Sequence, residues 1–335
     1  MDTLMRRWWT GDPTDPDVTS ADDPAVRRLL ETVAPGSPTT DLGGCFSLNL
    51  HLHDPGLVLR VQQPFVSRDR ALAMREVRRR LVAHGLLAAE PVRWRDRELL
   101  TCRGRWAELE TFVPHAKPEV TWESYRWMYR AMGELHRLLR DVDATLPRPV
   151  IATYAPPSSL RRWLAVTEPA VAHDPGAAEV TASLRRMLSK LRAQWVPASA
   201  LPNQVVHGDV RLGNVGLTPS GESVYLDFGF AANRPRVHDL AYSLAWIILR
   251  PDSSGSGETF DWSTLPALLD EYEEGARTRL TPLERRALGP YVATVPMYHA
   301  ALAGYDADPV TTVRRRACFL RIASWLLDNP EATRG

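Results

Sequence analysis

Two short stretches of this sequence decide how the rest is interpreted: residues 205–215 read VVHGDVRLGNV, and residues 224–229 read VYLDFG. Each apolar run predicts a strand, and a Pro-Ser-Gly turn separates the two stretches. The pattern therefore places Asp209, Asn214 and Asp227 on a strand-loop-strand unit. Phosphoryl transfer uses such groups, because one carboxylate accepts the proton of the attacking hydroxyl, while a carboxylate and an amide oxygen hold Mg²⁺ against nucleotide phosphates.

The composition is that of a globular enzyme with more than one compact core. The chain has 335 residues, of which 44% are hydrophobic and 24% charged, and this length predicts two lobes. Its 41 basic and 40 acidic residues give a formal charge of +1, so the positive field typical of nucleic-acid-binding proteins is absent. Only Lys117 and Lys190 are lysines, and arginine must therefore supply any phosphate-binding cation.

The sequence favours a cytoplasmic protein with no membrane and no nucleic-acid partner. Cys45, Cys102 and Cys318 lie far apart without a CxxC pair, which indicates neither a disulfide framework nor a zinc site. No apolar run approaches the roughly 20 residues of a membrane span. The first residues lack the apolar segment of a signal peptide.

The residue pattern also predicts the domain organisation. Strand patterns dominate up to residue 113, a Pro-His-Ala-Lys-Pro break follows, and helical patterns dominate beyond it. We expect four segments: a tail with Trp8 and Trp9 at 1–22, an N-lobe at 23–113, a connector at 114–118 and a C-lobe at 119–335. The N-lobe elements expected are a helix from Pro24, a hairpin over 46–53 and 57–61, a helix between the cap Ser67 and Gly85, and strands over 98–102 and 106–113.

The pattern H-x-D-x-x-x-x-N followed by D-F-G resembles the catalytic and metal loops of the protein-kinase-like fold. The glycine in His207-Gly208-Asp209 is similar to the aminoglycoside phosphotransferase and choline kinase group. Further segments match in the right order, namely Gly43–Ser47, Leu57–Val61, Glu76, Gly133–His136 and Val237–Ala241. The resemblance implies a two-lobed α+β fold, with a small β-rich N-lobe that binds nucleotide and a larger helical C-lobe that carries catalysis and the acceptor.

The resemblance implies roles for single residues. Asp209 would be the catalytic base, Asn214 and Asp227 would bind Mg²⁺, and Arg60 would contact the nucleotide phosphates while pairing with Glu76. The other implied groups are Gly44 and Ser47 in the phosphate-covering loop, main-chain groups near Glu110 and Phe112 at the nucleotide base, and His207 and Asp239 as supports of the catalytic loop. Two departures stand out, because protein kinases carry lysine in place of Arg60 and the Gly43-Gly44 segment is not G-x-G-x-x-G.

Arg211 follows the predicted base by two residues, and its planar guanidinium suits the charge that develops on a transferred phosphoryl group. We therefore expect a small-molecule kinase that uses ATP, with GTP as the alternative donor, and Mg²⁺. The leading acceptor class is an antibiotic or related natural product, and a housekeeping alcohol such as choline, ethanolamine, homoserine or a sugar is the alternative. A nucleotide-binding pseudokinase without turnover is a further alternative, and the chain is expected to be a monomer or homodimer.

Two charged segments bear on the acceptor. The acidic run at 270–274 suits either a pocket for a polycation or a solvated helix face. The run Arg314-Arg315-Arg316 suits either an anionic acceptor or an exposed basic stripe. With a net charge of +1, a neutral, monocationic or anionic alcohol is at least as well supported as an aminoglycoside.

Overall fold

The computed structural model describes residues 20–43, 47–142, 146–149, 153–249 and 259–333. Its N-terminal strands are β1 (Thr39–Asp41), β2 (Leu48–Leu52), β3 (Leu57–Val61), β4 (Leu87–Ala88), β5 (Pro91–Val92), β6 (Leu100–Cys102) and β7 (Arg105–Thr111). Most of them form an antiparallel sheet of order β1-β2-β3-β7-β5, with β6 paired to β7. The predicted hairpin and later strands are present, whereas β1 was not predicted. Residues 1–19 of the predicted tail lie outside the described residues.

One face of this sheet is apolar. Burial alternates along β2, so that Leu50 shares a face with Leu59 and Leu109, which lie beside it in register on β3 and β7. Helix α1 (Pro24–Val33) covers this face and buries Val26 completely. The alternation therefore sends the intervening residues of the central strands to the opposite side.

That opposite face is polar. Asn49, Arg60 and Glu108 lie side by side on β2, β3 and β7. Helix α2 (Arg68–Ala83) packs on this side, and it begins at the predicted cap Ser67, whose hydroxyl accepts a backbone N–H of the first turn. A polar sheet face and one helix thus form a wall of the cleft described below.

Helices dominate the C-terminal part, as predicted. They are α3 (Trp122–Leu139), α4 (Pro157–Val171), α5 (Pro175–Gln194), α6 (Val237–Ile248), α7 (Leu265–Ala276), α8 (Pro282–Ala301), α9 (Pro309–Arg316) and α10 (Leu320–Asp328). Helix α8 was not predicted, because Pro290 and Pro296 lie inside it and interrupt the helical pattern. No described helix is both long and apolar enough to cross a membrane.

Helices α3 and α7 pack with their backbones in contact. A Cβ atom on Gly133 would lie 2.2 Å from the carbonyl oxygen of Tyr272, and one on Gly275 would lie 2.1 Å from that of Arg130. Only glycine fits these two positions. This contact places His136, near the end of α3, beside the catalytic loop.

Two short strand pairs carry the predicted catalytic residues. Strands β8 (Asn203–Val206) and β11 (Ala232–Pro235) pair antiparallel, as do β9 (Val215–Leu217) and β10 (Ser223–Tyr225). Strand β4 adds to β10 in parallel, which ties the N-terminal part to this unit. The loop between β8 and β9 and the turn after β10 therefore lie together.

Candidate active site

The loop after β8 has a shape that requires glycine at its second position. Gly208 has a φ angle of +83°, which side-chain-bearing residues rarely adopt. A Cβ atom there would lie 2.5 Å from the carbonyl oxygen of Phe230. The H-G-D form of the motif therefore follows from close backbone packing.

Asp239, in the first turn of α6, holds this loop in place. Its carboxylate oxygens accept the backbone N–H groups of His207 and Gly208, each over 2.9 Å, and His136 Nε2 donates to it over 3.1 Å. Burial alone would raise the pKa of Asp239, but the hydrogen bond and charge of His136 hold it below its ordinary value. This geometry fits the supporting role that the resemblance implies.

The His207 ring joins the catalytic loop to the turn after β10. Its Nε2 lies 2.7 Å from the carbonyl oxygen of Leu226, so Nε2 carries the proton and donates it. Its Nδ1 then accepts the backbone N–H of Asp209 over 3.3 Å. The neutral tautomer therefore satisfies both contacts and fixes the main chain of Asp209.

Two side chains, those of Arg211 and Asn214, meet at the carboxylate of Asp209, which is 3% exposed. Arg211 donates to both oxygens, from Nε over 2.7 Å and from a terminal nitrogen over 3.0 Å, and Asn214 Nδ2 donates over 2.8 Å. Burial raises the pKa of Asp209 above its ordinary value, and the nearby Arg211 charge opposes this shift. The predicted base is thus oriented at both oxygens and is a stronger base than an exposed aspartate.

Asn214 and Asp227 present free oxygens. Asn214 must direct its nitrogen at Asp209, because a carboxylate only accepts hydrogen bonds, so its Oδ1 makes no hydrogen bond to a described residue. Asp227 Oδ1 accepts hydrogen bonds from Arg60 and from the Gly229 N–H, while Asp227 Oδ2 has no hydrogen-bond partner among the described residues. One amide and one carboxylate oxygen fit a hard divalent cation.

A metal held by protein ligands alone does not fit this site. In the described ranges no group of three or more histidine, cysteine, aspartate or glutamate residues could hold a metal ion. A divalent cation here would need further oxygens from phosphate groups and water, as Mg²⁺ in nucleotide complexes has. The donor set therefore fits a metal that arrives with a nucleotide.

The expected pair between Arg60 and Glu76 is wrong. Arg60 donates from one terminal nitrogen to Asp227 over 3.2 Å and from Nε to Glu110 over 3.4 Å. Glu76 is 47% exposed and pairs with Arg80 on its own helix over 2.8 Å. The reason is the rotation of α2, which turns its neighbours toward the sheet and leaves Glu76 at the surface.

The expectation placed a carboxylate on helix α2 and its arginine partner on the sheet, and the structure shows the reverse arrangement as well. The helix contributes arginines, Arg75 and Arg78, and the carboxylates come from β7. Arg75 donates to Glu108 over 2.9 Å, and Arg78 donates to Glu108 over 2.6 Å and also to Glu110. Burial would raise the pKa of Glu108, but Arg78, Arg60 and Arg75 together hold it below its ordinary value. We call these residues and Arg60 the sheet network.

The other predicted nucleotide-site residues differ in position. Glu110 contributes its side chain to the sheet network, and the Phe112 N–H donates to Gly56 over 3.3 Å while its ring stacks on His51 at 3.8 Å. The predicted contacts of main-chain groups there with a nucleotide base stay a prediction, although the Phe112 N–H is already engaged. Gly44 lies outside the described residues.

Asn49 spans the predicted phosphate-covering loop. Its Nδ2 donates to the carbonyl oxygens of Gly43 over 2.8 Å and of Ser47 over 3.3 Å, and it lies opposite Arg60 in register. Asn49 therefore joins the two ends of the loop beside the predicted phosphate-binding cation. Nothing in the motif pointed to it, although the strand alternation places it on the polar face.

A cleft lies between the polar sheet face and the turn after β10. Arg60, Glu110 and Asp227 line it together with Met74 and Phe228. The structure therefore brings the predicted phosphate cation and one predicted metal ligand to the same cleft, and it leaves Glu76 out.

This architecture defines a class: a small-molecule kinase with a two-lobed, protein-kinase-like α+β fold. The sequence matches the model of the phosphotransferase enzyme family over residues 40–288. The chain belongs to this family, which confirms the suspected relationship to aminoglycoside phosphotransferases and choline kinases. No curated protein matches the chain.

Solved structures agree on the fold. A microcompartment-associated aminopropanol kinase superposes with a TM-score of 0.72 at 16% identity, over 93% of this chain and 100% of that one. An amicoumacin kinase, solved with AMP-PNP, Ca²⁺ and its ligand, gives a TM-score of 0.65 at 15% identity, over 92% and 94%. A choline/ethanolamine kinase family protein from Mesorhizobium loti gives 0.58 at 16% identity, over 100% and 97%.

Proposed function

We propose that this chain transfers the γ-phosphoryl group of ATP to a hydroxyl of a small molecule in a Mg²⁺-dependent reaction. The observation that carries the proposal is the orientation of Asn214, whose nitrogen holds the Asp209 carboxylate while its oxygen is unengaged among the described residues. One side chain thus links the base to a cation site. In this proposal the N-lobe (23–113) binds the nucleotide and the connector (114–118) joins the two lobes. The C-lobe (119–335) contains the catalytic residues and binds the acceptor.

Asp209 accepts the proton of the acceptor hydroxyl as its oxygen attacks the γ-phosphorus. A new oxygen–phosphorus bond forms, and the bond to the leaving ADP breaks. The raised pKa of Asp209 makes it a better proton acceptor, and Arg211 and Asn214 keep both of its oxygens oriented. When bound between Asn214 and Asp227, Mg²⁺ supplies charge neutralisation to the phosphates.

Arg60 contacts the nucleotide phosphates in this proposal. Its guanidinium is held by Glu110 on one side and faces Asp227 on the other, at the cleft. Ser47 and Gly44 would cover the phosphates from the loop that Asn49 spans. The nucleotide base contacts near Glu110 and Phe112 are main-chain contacts, so GTP remains the alternative donor.

The acceptor is proposed to be an antibiotic or related natural product, with a housekeeping alcohol as the second candidate. Structural neighbours of both kinds exist, since one is an amicoumacin kinase and another an aminopropanol kinase. The acidic run at 270–274 gives no support to a polycationic acceptor, because its glutamates form ion pairs with arginines of the protein itself. Glu271 pairs with Arg126 and Arg130, and Glu273 pairs with arginines that follow α7.

The test is mass spectrometry of a panel of hydroxyl compounds after incubation with Mg-ATP, alongside thermal melts with ATP in the presence and absence of Mg²⁺. We expect one added phosphoryl group with the native protein, at least about 100-fold less product in the same time with Asp209→Asn, and an unchanged amount of product with Asp141→Asn at an exposed aspartate. Ligand binding raises the melting temperature, so a Mg²⁺-dependent shift reports the metal site. A shift without turnover on a broad panel would support the pseudokinase alternative instead.

A further inference from the structure

Beside the catalytic loop, helices α6 and α8 bring four aromatic side chains together: Tyr242, Trp246, Tyr298 and His299. The rings of Trp246 and His299 meet edge to face at 5.6 Å, and those of Tyr298 and His299 stack at 4.3 Å. We call these four residues the aromatic cluster. The roles derived above use none of them.

The aromatic cluster adjoins the predicted base. The guanidinium carbon of Arg211, which donates twice to Asp209, lies 5.4 Å from the centre of the Trp246 ring. Burial raises the pKa of Tyr298, and the nearby Asp209 charge adds to the shift. The aromatic cluster therefore lies next to the pair formed by Arg211 and Asp209.

Two polar atoms of the cluster lack a partner. Trp246 Nε1 and His299 Nε2 are buried, and neither makes a hydrogen bond to a described residue. The indole N–H lies beside the Tyr242 hydroxyl, but no hydrogen bond of acceptable geometry joins them. Buried polar atoms are almost always bonded in native proteins, so two unbonded nitrogens on neighbouring rings leave hydrogen bonds open to a ligand or to water. Both residues are only partly buried.

The charge around the cluster is positive. Arg316, at the end of α9, lies over the Phe319 ring at 5.5 Å and has no carboxylate within ion-pair distance in the described part of the chain. Its neighbour Arg314 differs, because it is tied to Asp174 over 2.6 Å. Burial, Arg316 and Arg211 lower the pKa of His299 to about 4, so this ring is neutral near pH 7.

We propose that the aromatic cluster and Arg316 bind the acceptor, and that this acceptor is an alcohol whose second polar group is a carboxylate or carbonyl oxygen rather than an ammonium. The inference rests on the proposed phosphotransferase function and specifies its substrate. Arg316 and the indole N–H donate to the oxygen, the rings pack on the carbon skeleton, and the hydroxyl faces Asp209. An ammonium group at this place would meet two guanidinium groups and no described carboxylate besides Asp209.

The experiment uses alcohols in matched pairs that differ in the charge of the second group: lactate with 1-amino-2-propanol, and glucuronate with 6-amino-6-deoxyglucose. Phosphate transfer is measured with saturating Mg-ATP, and thermal melts are recorded with Mg-AMP-PNP and each compound. We expect transfer or stabilisation with the carboxylate member of a pair, at least tenfold above its partner. Preference for the ammonium member overturns the proposal, as does a lack of response to every carboxylate.

Variants locate the effect. Arg316→Glu is expected to raise the KM for the carboxylate acceptor at least tenfold without changing the KM for ATP, and Trp246→Phe to raise it while keeping the ring. Arg315→Glu, on the exposed neighbour in the same helix, is the matched control and should behave as the native protein. Equal effects at positions 315 and 316 would contradict specific binding by Arg316. If the melting temperature of the native protein shows no Mg²⁺-dependent shift with ATP, the phosphotransferase proposal itself fails.

Discussion

The catalytic loop and the sheet network hold their charged groups in different ways. In the loop, Asp209, Arg211 and Asn214 lie within six residues of one another, and Asp239 anchors the backbone that carries them. In the sheet network, α2, β3 and β7 each contribute charges that are distant in sequence. A local arrangement can be recognised from a motif, whereas a network across three elements depends on helix rotation and strand register.

Asp209→Asn should have the largest effect on the loop. The amide cannot accept the hydroxyl proton, so we expect kcat to fall about 10²- to 10⁴-fold, the usual contribution of a general base. Nucleotide binding should survive, because Arg60 and Asp227 are untouched. Steady-state kinetics and melts with Mg-ATP measure both quantities. Retention of native kcat would remove Asp209 from the role of base.

Glu110→Gln tests the sheet network. It removes one of the two buried carboxylates that pair with Arg78, so that Glu108 alone must serve both Arg75 and Arg78, and it leaves Arg60 with Asp227 as its ion-pair partner. Removing one partner of a buried ion pair costs up to about 3–5 kcal/mol of folding free energy. The KM for ATP should also rise, because Arg60 loses a group that orients it. Denaturant unfolding and ATP titrations provide the readouts.

Glu76→Gln is the matched control for that variant. Its carboxylate is 47% exposed and paired only within its helix, so stability should change by less than about 0.5 kcal/mol and the KM for ATP should stay native. A larger effect at Glu76 than at Glu110 would restore the original expectation that Glu76 orients Arg60.

The same contrast explains what the sequence could predict. The catalytic loop, the hairpin and the Ser67 cap follow from local patterns, and the family model confirms the kinase-like assignment. The Arg60 partner was missed because one residue along a helix turns a side chain by about 100°. Helix α8 was missed because of its two prolines, although the capping box between Thr281 and Glu284 was a readable signal. That omission also hid Tyr298 and His299.

Gly208→Ala should break the loop without touching a charge. Its positive φ angle and the 2.5 Å approach to Phe230 predict a loss of about 2–4 kcal/mol of stability. Gly213→Ala is the control in the same loop, because a Cβ atom there meets nothing within 4 Å. Chemical denaturation compares the two variants. Equal stability would show that the loop relaxes around the added methyl group.

The loop also has a pH-dependent support. The buried His238 ring donates to the Thr153 hydroxyl, which in turn donates to the Gly208 carbonyl oxygen. Burial lowers the pKa of His238 to about 4, below the unfolded value of about 6.5. The unfolded chain therefore binds more protons between these values, and stability falls as pH drops through this window. From pH 6.5 to pH 5 the loss is about 1.6 kcal/mol for this ring. His299, with a pKa also lowered to about 4, adds a similar dependence. His238→Gln should therefore remove only part of the slope in urea denaturation measured at several pH values, and an unchanged slope would contradict a neutral His238.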